Sequence, residues 1–147
     1  VLAAGETRDR TDIAGAIRFL THVQKRRAVV FLVSDFQDEG YDRALRALAR
    51  RHDVIACRVA DPREAELPDV GLVQMQDPET GELLLVDTAS RAVRGAFAEQ
   101  ARSDAETLRR NLRRWGIDTL DLATDRPYID DVRALFQHRR ARARRSA

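Results

Sequence analysis

Val29-Val30-Phe31-Leu32-Val33 is a run of five apolar residues that stops at Ser34-Asp35-Phe36. Apolar on both faces, it suits a central parallel strand over 28–33, covered by helices on either side. A carboxylate, Asp35, follows at the strand's carboxyl end, which is where an open α/β sheet keeps its ligand site.

Outward from this strand, helical and extended patterns alternate. Ile13, Ile17, Leu20 and Val23 recur at helical spacing and predict a helix near 12–24, with Thr11 as its cap. Ala44, Leu45, Leu48 and Ala49 predict a second helix near 41–51. Val54 to Val59 returns as a strand, giving a βαβ unit whose crossover should be right-handed. The alternation then breaks. Leu72 to Met75 and Glu82 to Asp87 read as two short strands around Asp77-Pro78-Glu79-Thr80-Gly81, a turn with proline early and glycine late. This is a hairpin inserted into an α/β chain. Phe97, Ala101, Ala105, Leu108, Leu112 and Trp115 mark a long amphipathic helix over 92–115, closed by Gly116. Asp118 to Leu122 alternates and should lie nearer a sheet edge. Ile129, Val132, Leu135 and Phe136 face one side of a terminal helix that is expected to dissolve into an arginine-rich tail, so the chain divides into a domain, 1–138, and a tail, 139–147.

The two-sided apolar character of 28–33 implies neighbours on both edges, and only 54–59 is an obvious partner. The second edge is expected to be covered by a strand upstream of Val1 or, through self-association, by another copy of the chain.

With 147 residues, 44% of them apolar, the chain can build one domain with a hydrophobic core. Its 26 basic and 24 acidic residues leave a net charge of +2, a weak argument for a polyanionic partner. The positive excess collects after Asp131, where arginines Arg133 to Arg145 meet no acid. These arginines could neutralise several phosphates, but the tail lacks interleaved aromatics and a recognition motif, so nucleic-acid binding through it stands as the lesser alternative. Cys57 is the only cysteine and sits inside a predicted strand, which points to a buried thiol and a reducing compartment. No stretch approaches the roughly twenty apolar residues that span a bilayer. The expectation is a soluble, cytoplasmic chain.

Ser34-Asp35-Phe36, Arg51-His52-Asp53-Val54-Ile55, Asp61-Pro62-Arg63-Glu64, Leu67-Pro68, Gly71-Leu72 and Asp77-Pro78-Glu79-Thr80-Gly81 follow one another in the order of a known signature. Over residues 5 to 136 the chain resembles the bacterial domain-of-unknown-function family fifty-eight. That family is related to von Willebrand factor type A domains, and its genes often neighbour those of MoxR-type AAA+ ATPases. The resemblance implies a partial von Willebrand A-like fold: an α/β, doubly wound, mostly parallel sheet carrying the inserted β-hairpin.

It also implies a site. Von Willebrand A domains often bind a divalent cation through an Asp-x-Ser-x-Ser loop after the first strand, a threonine on a second loop and an aspartate after the fourth strand. Thr11, in Arg10-Thr11-Asp12, looks like the threonine, and Asp35 looks like the aspartate. The Asp-x-Ser-x-Ser loop is absent, and its expected place is upstream of Val1. Magnesium wants about six hard oxygen ligands, so this chain alone is expected to bind magnesium weakly or not at all. In the intact domain a cation short of one protein ligand could accept a carboxylate from a partner. The expected partner is a MoxR-type AAA+ ATPase, met by Asp35, Thr11 and the loops around Gln37, Asp38 and Asp61.

Each residue also has a structural reading. Thr11 can serve only as a helix cap, Asp35 can simply end a strand, and Asp38 can be loop charge. Asp61 can engage in local ion pairing. His52 has no second histidine or cysteine near it in sequence and reads as structural. Catalysis finds no support: Cys57 lacks a histidine in register, Ser34 lacks a glycine-flanked elbow, and no glycine-rich nucleotide loop is present. The chain is read as a binding module rather than an enzyme. The alternative is a metal-independent scaffold using the hairpin and the long helix for constitutive contacts.

Overall fold

Asp53 to Ala60 is the most deeply buried extended segment, because Val54, Ile55, Ala56 and Cys57 are each covered whichever face they project from. It is the middle strand of a three-stranded parallel sheet in a computed structural model that describes residues 11–76 and 81–145. The strands are β1 (Val29–Ser34), β2 (Asp53–Ala60) and β5 (Asp118–Ala123), in the order β1-β2-β5. Val30 lies opposite Val54 and Leu32 opposite Ala56, while Leu120 lies opposite Cys57.

Helices α1 (Ile13–Val23), α2 (Asp42–Arg51) and α3 (Arg91–Arg114) share the larger core. Ile13 and Ile17, Leu45 and Leu48, and Leu112 converge there on the sheet face that carries Val30, Leu32, Val54 and Ala56. The opposite face carries Ile55, Cys57 and Leu120, and α4 (Ile129–Arg145) covers it with Val132 and Leu135. Burial pushes the Cys57 thiol pKa up. Trp115 lies half-buried against the larger core, with the Arg46 guanidinium 5.6 Å from its ring centroid.

Gly116 ends α3 with a positive φ of 72°, and Ile117 N–H reaches back to the Leu112 carbonyl. This is the stop expected of a glycine beyond a helix end. The inserted hairpin is β3 (Leu72–Gln76) paired antiparallel with β4 (Leu83–Asp87) in a sheet of its own. The expected turn at Asp77-Pro78-Glu79-Thr80 lies outside the described residues.

Three expectations meet the structure. First, among the described residues β1 pairs with β2 on one side and with no strand on the other, the edge for which a neighbour outside these residues is expected. Its inner face packs on the core, while Val29, Phe31 and Val33 on the other face are 55%, 50% and 62% exposed. An apolar run reports a strand that suits burial; which neighbours reach it depends on the whole chain. Second, the cap of α1 is Asp12, not Thr11: its Oδ1 accepts the Gly15 N–H at 2.5 Å. A carboxylate one residue nearer the helix reaches the free amides first, and its charge favours the helix's positive end. Third, the terminal helix does not dissolve after residue 138. It runs to Arg145 because Arg139 donates to Asp53 and Asp118, and Arg142 pairs with Asp118 at 2.8 Å. Asp53 and Asp118 begin β2 and β5, so α4 is fastened to the amino ends of two strands.

Candidate functional site

The carboxyl ends of β1 and β2 form one crest of the sheet, and the segments leaving them carry the polar residues singled out by sequence. The chain turns sharply after β1. Phe36 has a φ of 62°, a left-handed conformation unfavourable for a bulky residue, yet its ring is buried edge-on to Tyr41 with centroids 5.9 Å apart. Core packing holds the turn in that conformation. With Phe36 directed inward, its neighbour Asp35 is left exposed to solvent.

Asp35 Oδ1 accepts the Gln37 N–H at 3.2 Å and lies 3.3 Å from the Ser34 hydroxyl, while Ser34 Oγ accepts the Phe36 N–H at 3.1 Å. These contacts orient the carboxylate locally. Among the described residues no arginine, lysine or histidine forms an ion pair with Asp35. Its second oxygen, Oδ2, takes part in none of these bonds.

Asp38 is committed to the fold. Oδ2 accepts the Ile13 N–H at 2.9 Å and Oδ1 the Glu39 N–H at 2.8 Å. The loop after β1 is thereby tied to the first turn of α1, which places Asp12 and its neighbour Thr11 at the same end of the molecule. Thr11 is exposed, as is Gln37. Asp61, expected either to line the crest or to form a local ion pair, directly follows β2 and caps the 3₁₀ turn Pro62–Ala65 by accepting the Arg63 N–H at 2.9 Å. Proline at the first position of that turn needs no partner for its nitrogen, so the next free amide is the one Asp61 meets.

Beneath the crest, burial and the nearby Asp42 and Asp38 carboxylates push the Tyr41 phenol up to about 12. The structure thus joins Ser34, Asp35 and Gln37 in one turn and Asp38 to α1. The supporting roles of Phe36 and Tyr41 were missed by sequence reasoning. The signal available was an aromatic residue directly after the aspartate, but its positive φ is a tertiary outcome.

Among the described residues no group of three or more histidine, cysteine, aspartate or glutamate side chains converges to hold a metal. Asp35 and Thr11 supply at most a carboxylate and a hydroxyl. A groove of about 410 Å³ lies elsewhere, between α3, β5 and α4. Its acids are already engaged: Asp121 with Arg109 at 2.9 Å and Arg58 at 3.6 Å, and Asp131 with Arg126 at 3.3 Å. His52 is buried with both ring nitrogens lacking a hydrogen-bond partner and lies at the opposite end of β2 from the crest.

The fold and crest define a mixed α/β protein, with a parallel three-stranded sheet and four α-helices among the described residues. The profile of the family described as Protein of unknown function DUF58 matches residues 1–107, and the chain belongs to that family. An uncharacterised protein of Mycobacterium avium is 39% identical over 132 residues, covering 89% of this chain and 78% of the relative. Uncharacterised proteins of Mycobacterium bovis and Mycobacterium tuberculosis are also 39% identical over 132 residues. The aligned region spans 41% of the length of each of these two. No solved structure matches the chain. Among the described residues no helix is long and apolar enough to cross a membrane.

Proposed function

We propose that this chain is the C-terminal part of a von Willebrand A-like interaction module, and that its crest recognises an acidic side chain of a protein partner through a shared divalent cation. The observation that supports this reading is the state of Asp35: exposed at the carboxyl end of β1, held by its own turn and paired with no cationic side chain among the described residues. A carboxylate kept outward by a strained, buried neighbour suits a ligand better than it suits the fold. The edge of β1, unpaired among the described residues, and its exposed outer face fit the same reading, because an additional strand there would carry further oxygen ligands beside Asp35.

The partner proposed is a MoxR-type AAA+ ATPase, and the work is assembly or maturation of a client in the cytoplasm. Asp35 and Thr11 are the metal-facing residues and Gln37 the exposed neighbour. Asp38 and Asp61 shape the loops and contribute charge rather than reach. The test is a pull-down of the ATPase by the complete protein, with and without chelator. Association should be lost with chelator and in Asp35→Ala, while the circular dichroism spectrum is unchanged. Equal capture in all conditions would reject the shared-cation mechanism.

A metal-independent scaffold is the second reading, favoured by the exposed leucines of β3 and β4. Chelator-insensitive capture that persists in Asp35→Ala is its expected signature.

A further inference from the structure

The hairpin stands apart from the three-stranded sheet, and its base is built with unusual care. Thr88 is fully buried where β4 ends. Its hydroxyl donates to the Gly71 carbonyl at 2.7 Å and accepts the Val70 N–H at 3.2 Å, while its own N–H reaches the Gly71 carbonyl at 2.8 Å. Arg94 on α3 donates to the carbonyls of Thr88 and Ala89 and pairs with Asp69 at 3.2 Å. Both strands therefore leave a fixed stem.

What the stem holds out is apolar. The register puts Leu72, Leu83 and Leu85 on one face with Gln74 and Gln76, and these leucines are 68%, 63% and 70% exposed. The other face carries Val73, Met75 and Val86, all half-buried, and Leu84, which is 48% exposed. A two-stranded ribbon with a leucine face in water is marginal by itself. Among the described residues β4 pairs with β3 alone, and Leu83-Leu84-Leu85-Val86 contains no charge, proline or glycine to blunt its outer edge.

Charge decides the occupant. Between Arg63 and Arg91 the sequence contains no lysine, arginine or histidine, in a chain with 26 basic residues. Glu82 and Asp87 bracket β4. A second copy adding its own β4 antiparallel, with Leu85 opposite Leu85, would crowd Glu82 of one chain towards Asp87 of the other at both ends. Anionic lipid and nucleic acid would meet the carboxylates of Glu82 and Asp87 at the two ends of the strand. A segment with apolar side chains in its middle and lysine or arginine at both ends meets complementary charge at each end and leucine between.

We propose that the β3–β4 ribbon is a docking strand for an extended, basic-flanked apolar segment of a partner protein, which adds to the outer edge of β4 and covers Leu83 and Leu85. This surface is separate from Asp35 and needs no metal.

The probe is a fluorescent synthetic peptide of alternating valine and threonine with lysines at both ends, titrated into the full chain and followed by anisotropy. Leu83→Thr with Leu85→Thr keeps strand propensity and removes the leucine face; affinity should fall about tenfold or more. Binding should weaken with salt and be unchanged by chelator or by Asp35→Ala, which separates it from the crest. Absence of binding, or equal binding of the same peptide ended with glutamates, would overturn the proposal. So would a sedimentation dimer of the unmodified chain that disappears in the double variant, since the occupant would then be a second copy.

Discussion

The Asp38 carboxylate accepts the backbone N–H of Ile13 at 2.9 Å across 25 residues of sequence, so the loop after β1 closes the amino end of α1. Asp35, three residues earlier on the same loop, bonds among the described residues only within its own turn. The two acids invite opposite expectations. Asp38→Ala should lower the unfolding free energy by about 1–2 kcal/mol, the range for a lost cap. Asp35→Ala should change it by less than about 0.5 kcal/mol, as for an ordinary surface site. Urea unfolding of both variants checks this, and a larger loss at Asp35 would make that residue structural.

Phe36 combines a buried ring with a positive φ. Truncation to alanine removes the packing and keeps the conformational penalty, while glycine removes both. Phe36→Gly should therefore be at least as stable as Phe36→Ala, with both below the unmodified protein by about 2–4 kcal/mol. The usual order, alanine above glycine, would mean that the left-handed turn costs little. Denaturant midpoints of the two variants give the answer.

Tyr41 sets an alkaline limit. Its folded pKa of about 12 lies above the ordinary value of 10.0, so above pH 10 the unfolded chain releases the phenolic proton more readily than the folded one. The contribution is complete below pH 10 and is lost as pH rises through about 12. Two pKa units correspond to about 2–3 kcal/mol. Stability measured between these limits should fall less steeply in Tyr41→Phe than in the unmodified protein. Parallel curves would show that other groups govern alkaline unfolding.

Asp118 receives Arg139 at 2.9 Å and Arg142 at 2.8 Å, with Arg139 also reaching Asp53. The cluster is only partly shielded from water, so its worth lies between that of an exposed pair and a buried one. Asp118→Asn should cost about 1–2 kcal/mol and free the last turns of α4, seen as faster amide exchange over residues 139–145. Unchanged exchange there would assign the helix's persistence to its own propensity.

The sequence by itself determined the kind and order of the elements. The spacing of Ile13 and Ile17, the run Val29–Val33, the paired strands around residues 77–81 and Gly116 after the long helix are local signals, and local signals are set by side-chain period and backbone freedom. It also placed Asp35 at a strand's carboxyl end. Tertiary structure alone decided that the outer face of β1 leaves Phe31 half exposed, that Asp12 rather than Thr11 caps α1, and that Asp38 is drawn across to Ile13. It likewise turned Arg139 and Arg142 from tail residues into the fastening of α4. Each of these outcomes is a competition between partners distant in sequence or crowded at one helix end. Which partner wins depends on which groups the completed packing leaves within hydrogen-bonding reach, and no window of neighbouring residues contains that information.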